Sequence, residues 1–371
     1  MTLNAFNPSV EKHAPVMDDT SYGMTLKDAE KNLILKTWKK NKGDVKKTSE
    51  ILGISETELR EKLTAYSKEG ADLAWLLTAR PKTLLLACAG ILTGAAPALR
   101  EDNLNIPVLL LSLLTAVLLQ SISNFCNDYG DSVKELDENR IGPKRAIHLN
   151  LITRNELKTM IVILCAVTAA VGVILLYTAF GTERPVDLWC FLILGALSIA
   201  AAVAYTVGQK PYGYIGLGDI SVFLFFGLLA VEGSYYLHTG KLSASVFLPA
   251  SAVGIMCMSV LNINNMRDRT TDAQKHRVTL PILLGERLSV VYHILITLLP
   301  SVIFFLYLSQ NFYSSAFYVI PLLSVLFLPD LVSLARNSRA FNYNRALGRV
   351  SALTLLTSVV FFGFQLSEKM Q

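Results

Sequence analysis

The sequence predicts an all-α, polytopic membrane protein of nine transmembrane helices, with a small helical module ahead of them. Three observations carry this. The 371 residues are 52% hydrophobic and 17% charged, where a soluble domain is about 45–50% apolar and about 25% charged. The apolar residues gather into nine runs, at about 73–98, 106–126, 158–179, 186–208, 218–238, 245–263, 288–309, 315–336 and 346–366. Such runs can cross roughly 30 Å of hydrocarbon. They are continuous rather than alternating, the pattern of helices and not of a membrane barrel.

Residues 1–24 lack periodicity and are expected to be disordered. Residues 25–70 form a polar module. Leu33, Ile34, Leu35 and Trp38 mark a first helix, and Val45, Ile51 and Leu52 a second. Gly53 ends the second, and Ser55 caps a third that carries Leu59, Leu63 and Tyr66. The stretch LGISETELREKL resembles the helix-turn-helix of Fis-type DNA-binding domains. Its recognition helix sets Glu56, Glu58 and Glu61 around Arg60 and Lys62, whereas a DNA-reading helix presents basic and amide groups. A packing or regulatory module is the first reading, and DNA as a partner through 25–70 the second. No apolar run lies in the first 70 residues, so no cleavable signal peptide is expected.

Residues 71–371 form the membrane domain. Its Lys and Arg follow even-numbered spans, at Lys134, Arg140, Lys144, Arg145, Lys210, Arg267, Arg277 and Arg336, while the odd-numbered loops hold only Arg100, Arg184 and Lys241. The excess of positive charge on cytoplasmic loops places the N-terminus in the cytoplasm and the C-terminus outside a plasma (inner) membrane. Cys88, Cys126, Cys165, Cys190 and Cys257 show no CxxC or Cys/His spacing and read as small core residues. Glu232, inside the fifth run, is either a functional intramembrane acid or a residue near the outer interface.

Two acidic clusters follow even-numbered spans and so share one face. The first is Asn124, Asn127, Asp128 and Asp131, with Asp137 beyond, and the second is Asn264, Asn265, Asp268 and Asp272. Residues four apart share a helix face, so each cluster projects its oxygens in one direction. Acids this close to hydrocarbon need partners. No matching local excess of Lys or Arg stands by, so a divalent cation is the expected one. Carboxylates and amides with open positions left over are how Mg²⁺ is held against phosphate, which points to an intramembrane enzyme acting on a diphosphate. Arg140, Lys144, Arg145, Lys210 and Arg277 are candidates for the remaining phosphate charge. A lone DxxxD is often a solvated helix end; two, each preceded by Asn at helical spacing, are not easily explained that way.

At these residues the chain resembles the UbiA superfamily of intramembrane prenyltransferases. NDYGD at Asn127–Asp131 is similar to its first aspartate motif and NNMRDRTTD at Asn264–Asp272 to its second. RPKT at Arg80–Thr83, NDYGDSVKELDENRIGP at Asn127–Pro143 and YTVGQKPYGYIGLGD at Tyr205–Asp219 resemble the branch that prenylates 1,4-dihydroxy-2-naphthoate in menaquinone biosynthesis. The resemblance implies nine helices around a central cavity and Mg²⁺ held by Asn127, Asp128, Asp131, Asp137, Asp268 and Asp272. It implies transfer from a polyprenyl diphosphate to a ring carbon of the naphthoate, with loss of its carboxylate, to give a demethylmenaquinone. Asp128, Asp131, Asp268 and Asp272 would be catalytic. Asn124, Asn127, Asn264, Asn265, Arg140 and Arg277 would contact substrate. Tyr205, Lys210, Tyr212 and Asp219 would shape the acceptor side, with Tyr214 offering a further ring. The chain departs from the family pattern at Ala273, at His276-Arg277 in place of Gly-Lys, and at Leu284 before Gly285. Rival readings are transfer to 4-hydroxybenzoate or homogentisate, a membrane-tethered DNA-binding regulator, and a passive transporter. Membrane lipid is an expected partner in every case.

Overall fold

The computed structural model describes residues 25–41, 44–133, 145–147, 152–312 and 318–370, without the side chains of residues 39, 60, 64 and 67–73. The expectations for residues 1–24 and for Asp137, Arg140 and Lys144 lie outside them. The chain divides into two compact units between Leu73 and Ala74.

In the first unit, α1 (Leu26–Lys40), α2 (Val45–Leu52) and the start of α3 (Glu56–Ala79) enclose Ile34, Leu59 and Tyr66, with Trp38, Val45 and Leu63 against them. The capping chemistry is local. Asp44 accepts from the Lys47 amide at 3.0 Å, Gly53 takes the left-handed conformation at φ 68°, and Ser55 Oγ accepts from the Glu58 amide at 3.1 Å. The side-chain oxygen of each polar cap satisfies an amide that the helix leaves unpaired.

Among the described residues the second unit has nine helices long and apolar enough to cross a membrane. They are α4 (Pro81–Arg100), α5 (Ile106–Val133), α6 (Arg154–Phe180), α7 (Pro185–Ala204), α8 (Gly218–Thr239), α9 (Phe247–Gln274), α10 (Leu280–Asn311), α11 (Val319–Arg336) and α12 (Tyr343–Lys369). The protein is thus a multi-pass membrane protein. One boundary differs from the expected 73–98. Pro81 has no amide to continue a helix and disfavours the α conformation in Arg80, so residues 73–79 stay with α3 and the first span begins at Pro81.

The helices are not equivalent. Two-thirds (67%) of the apolar window of α4 and of α9 is buried, and none (0%) of that of α7. α4 runs along α12 and α8, and α9 along α10 and α12. Val231, Tyr235, Val253, Phe304, Tyr307 and Phe361 fill the core between them. Gly94 permits the tight α4–α8 crossing, since a Cβ there would stand 2.1 Å from the Val231 carbonyl oxygen. Interhelical hydrogen bonds supplement this packing, as small polar residues do in membranes: Ser234 Oγ donates to the Ile91 carbonyl and Thr93 Oγ1 to Ser358 Oγ, both at 2.9 Å. α5 and α6 share a second cluster around Ile122, Phe125 and Leu157. A π-helical turn, Phe223–Leu229, widens α8 at mid-span.

The five cysteines are free; Cys126 and Cys257 are buried, while Cys190 is exposed on α7. Glu232 lies toward the C-terminal end of α8, with the Ser243 backbone as a hydrogen-bond partner and no place in the cavity wall described below. Of its two readings, this position fits the one near the interface.

Candidate active site

Both aspartate motifs sit on the last turns of helices that outrun their apolar stretches. α5 continues to Val133 and α9 to Gln274. A helix C-terminus is the negative end of the peptide dipoles, and Asp128 and Asp131 are 3% and 2% exposed, Asp268 and Asp272 7% each. Anions so placed require positive partners.

The partners in the structure are arginines, which corrects the expectation that no Lys or Arg neutralises the clusters. Arg80 and Arg145 pair with Asp128, the latter at 3.1 Å, and Arg145 Nη2 reaches Asp131 at 2.5 Å. Arg267 holds Asp268 through Nε and Nη2, at 2.8 and 2.7 Å. Arg277 contacts Asp131 and reaches Asp272 at 3.2 Å, so one guanidinium joins the two motifs. Arg80 lies 48 residues from Asp128, and Arg277 lies 146 from Asp131. Counting charges beside each motif misses such pairs.

Two loops close this end of the bundle. Tyr214 Oη donates to Asp131 Oδ1 at 2.5 Å, and the Arg277 guanidinium lies 4.0 Å from the Tyr214 ring centroid. The Val278 amide donates to the Tyr214 carbonyl at 2.9 Å, which ties the loop after α7 to the loop after α9. Tyr214, expected to offer a ring to an acceptor, instead orients a carboxylate. Burial, with Arg80 nearby, lowers the Arg277 pKa to about 10, which leaves it cationic at neutral pH. Gly130 in the first motif allows close approach of α5 to the same loop: a Cβ would stand 2.6 Å from the Thr206 carbonyl oxygen.

Arg80 reaches Asp128 from a strained turn. It adopts φ 52°, ψ 71° ahead of Pro81, a left-handed conformation that costs an L-residue roughly 1–2 kcal/mol. Asn124 braces that turn. Its Nδ2 donates to the Ala79 carbonyl at 2.8 Å and to Thr83 Oγ1 at 3.0 Å, and Thr83 Oγ1 donates to the Arg80 carbonyl at 3.0 Å. Gln120 Nε2 donates to Asn124 Oδ1 at 3.1 Å. The Asn124 amide is thus engaged with protein, and no substrate contact is needed to explain it.

The remaining sequence candidates divide. Asn127 gives its carbonyl to Arg145 at 2.8 Å, while its buried Oδ1 has no hydrogen-bond partner among the described residues. Asn264 accepts from Arg267 at 2.6 Å; Asn265 is buried but does not line the cavity. Tyr205 and Tyr212 meet edge to face at 5.3 Å and line the cavity, and burial raises the pKa of both phenols. Asp219 is buried, accepts from Tyr292 at 3.0 Å and stands outside the cavity lining. Lys210 is exposed and outside it too. Residues the sequence did not single out are Arg267, which read as a topology charge, and Asn344, which accepts from Arg267 Nη1 at 2.8 Å. Arg80 was visible only as part of RPKT and as a positive charge ahead of the first span. Nothing local marks Asn344.

A cavity of about 620 Å³ opens beside the charged end. Arg80, Asn127, Asp128 and Arg145 form its polar lip; Leu119, Leu194, Phe225, Phe226 and Leu229 line its apolar wall; Ile91, Ser112, Phe191 and Leu237 stand on the helix turns far from that lip. Residues 112 to 128 of α5 mark its depth, about 24 Å at 1.5 Å per residue.

Among the described residues no three His, Cys, Asp or Glu side chains converge as a ready metal cage. The donor chemistry nevertheless fits a hard cation shared with an anionic ligand. Asn127 Oδ1 is buried and unpartnered beside Asp128 and Asp131, and carboxylate and amide oxygens are what Mg²⁺ prefers. An entering anion can take the guanidiniums while a cation takes the carboxylates, so charge stays balanced.

The brace can be tested. Asn124→Ala leaves the Ala79 carbonyl and Thr83 hydroxyl short of a donor and is expected to lower stability by about 1–3 kcal/mol. Reversible unfolding in detergent measures it; an unchanged midpoint contradicts the brace.

Residues 73–357 match the UbiA prenyltransferase family, and residues 25–66 match the family described as Bacterial regulatory protein, Fis family. The 1,4-dihydroxy-2-naphthoate octaprenyltransferase of Escherichia coli is 48% identical over 221 residues, 59% of this chain and 71% of that protein. Its namesake in Haemophilus influenzae is 40% identical over 290 residues, 77% of this chain and 94% of that one. In fold, the chain resembles a UbiA homolog from Archaeoglobus fulgidus bound to GPP and Mg²⁺, with TM-score 0.53, 15% identity and coverage of 78% of this chain and 99% of that one. The chain belongs to the UbiA prenyltransferase family and is a prenyltransferase.

Proposed function

We propose that the protein transfers a polyprenyl group from its diphosphate to 1,4-dihydroxy-2-naphthoate, with loss of the carboxylate as CO₂, giving diphosphate and a demethylmenaquinone at the quinol level. The observation that carries this reading is the joining of both aspartate motifs by Arg277, whose partner Asp131 is also held by Arg145, with Asp128, Arg145 and Arg267 in the wall of a deep, mostly apolar cavity. The names of the two bacterial relatives support the acceptor, and the Archaeoglobus protein's bound GPP and Mg²⁺ support the donor and the cation.

Each part of the site has a task under this reading. Arg80, Arg145 and Arg277 bind diphosphate oxygens and hold the leaving group as the allylic C–O bond breaks. Asn127, Asp128, Asp131, Asp268 and Asp272, with Asp137 and Arg140 from the sequence, complete the diphosphate and cation set. Mg²⁺, when bound, neutralises charge on the departing diphosphate. The apolar wall at Leu119, Phe191 and Phe226 takes the prenyl tail and excludes water from an electron-poor carbon. Tyr205 and Tyr212, with glycines beside them, present ring faces and close backbone to a fused aromatic acceptor. Holding the two carbons together supplies much of the rate.

Two experiments test this. Membranes containing the protein, given a polyprenyl diphosphate and candidate acids, should convert 1,4-dihydroxy-2-naphthoate with release of labelled CO₂ and leave 4-hydroxybenzoate nearly untouched. Asp131→Asn and Asp268→Asn should each lower turnover by on the order of 10² or more, the scale of a lost charge-stabilising group. Faster conversion of 4-hydroxybenzoate with its carboxylate retained would leave only the wider prenyltransferase class.

A separate expectation concerns orientation. The placement of Lys and Arg supports a cytoplasmic N-terminus and an outward C-terminus in a plasma membrane. Lys210→Cys and Lys241→Cys, each in a background without the five native cysteines, should be labelled by an impermeant thiol reagent only from inside and only from outside, respectively. The opposite pattern would reverse the topology.

A further inference from the structure

We infer that the N-terminal unit carries a lipid-docking face, formed by α1 and α2, that binds an anionic phospholipid surface. The sequence from Lys36 to Lys47, KTWKKNKGDVKK, holds six lysines against one aspartate. Lys36 and Lys40 on α1, and Lys46 and Lys47 on α2, are exposed. None of these four makes an ion pair among the described residues.

Large aliphatic side chains are exposed on the same two helices. Leu26 is 92% exposed, and Leu33 and Ile51 are 60% exposed. On α1, Leu26, Leu33, Lys36 and Lys40 are spaced by seven, three and four residues, which puts them on one helix face. That face lies opposite the one on which Ile34 and Trp38 enter the core of the unit. On α2, Lys47 and Ile51 are four apart and again share a face. Lysine interleaved with exposed leucine and isoleucine is the chemistry of a helix lying in the headgroup region: the amines meet lipid phosphate and the aliphatics enter the acyl boundary.

The same residues fit nucleic acid poorly. Leu26, Leu33 and Ile51 add nothing to a phosphate contact. The helix that would read bases, α3, exposes Glu56, Glu58 and Glu61 in its first turns, and its Lys62 is taken by Glu30 at 2.6 Å. A duplex would meet repulsion where recognition is needed. Chain continuity favours lipid further. Only residues 67–80 separate Tyr66 of the module core from α4, the first membrane-spanning helix. A covalently tethered partner acts at high effective concentration.

The test uses the full chain in nanodiscs of phosphatidylcholine alone or of an equal mixture with phosphatidylglycerol, with amide hydrogen exchange read over residues 26–51. Exchange should slow in the anionic discs only, and the protection should fade as salt is raised. Each reversal in the pair Lys36→Glu and Lys40→Glu should cut the protection by about fivefold or more. Leu33→Ser should reduce it as well. Amides around Ile34 and Leu59 report whether a variant still folds, and Lys36→Gln with Lys40→Gln offers a milder pair. Equal protection in both discs, or protection that the charge variants leave intact, would overturn the inference. So would protection by duplex DNA in phosphatidylcholine discs that anionic lipid fails to reproduce. None of these readouts depends on prenyl transfer.

Discussion

Four buried carboxylates at the C-terminal ends of two membrane helices must be neutralised, and much of the architecture around them follows. Desolvation and the helix dipole both disfavour Asp128, Asp131, Asp268 and Asp272 as anions. Arg80, Arg145, Arg267 and Arg277 match them four for four among the described residues. To deliver those arginines, the chain accepts a left-handed Arg80, spends Asn124 on bracing that turn, and pairs two loops so that Tyr214 and Arg277 meet Asp131. Removing one member of such a set leaves a buried charge uncompensated, which costs more than the pair contributes.

A balanced set of ion pairs is also a poised receptor. Guanidiniums bind phosphate oxygens bidentately, as they bind carboxylates. Hard cations prefer carboxylate oxygens. Under the proposed function, a diphosphate arriving with a cation exchanges one set of pairs for another without stranding a charge in a low-dielectric region. Below the lip the cavity is mostly apolar, so under the proposed function the entrance that orders the headgroup also directs a hydrocarbon tail inward. Placing the charge at the mouth and the apolar wall behind it makes a single entry direction the stable one.

Much of this was legible in the sequence, for identifiable reasons. Nine apolar runs gave nine spans among the described residues because hydrocarbon thickness sets helix length. The DxxxD spacing with preceding Asn placed both motifs on helix faces, and their shared position after even-numbered spans put them at one end. The caps at Gly53 and Ser55 were readable because capping is local. What escaped was mostly long-range, apart from Arg267, which stands next to Asp268 in the chain and read as a topology charge. The pairing of Arg80 with Asp128 and of Arg277 with Asp131 depends on which helices touch, and no local pattern encodes it. Tyr214 has the residue type of a ring contact, yet the loop pairing through Val278 aims its hydroxyl at a carboxylate. The first span was drawn from residue 73 because the apolar run ignores the break that Pro81 imposes.

The most direct test of the central claim, that both motifs and their arginines make one site for a cation and a diphosphate together, is the linkage between the two ligands. Calorimetric titration of the detergent-purified protein with a prenyl diphosphate, with Mg²⁺ and with EDTA, measures it. The account predicts weak binding of either ligand alone and strong mutual enhancement, since each removes the partners the other leaves behind. Diphosphate binding of equal affinity in EDTA and in Mg²⁺ would contradict it.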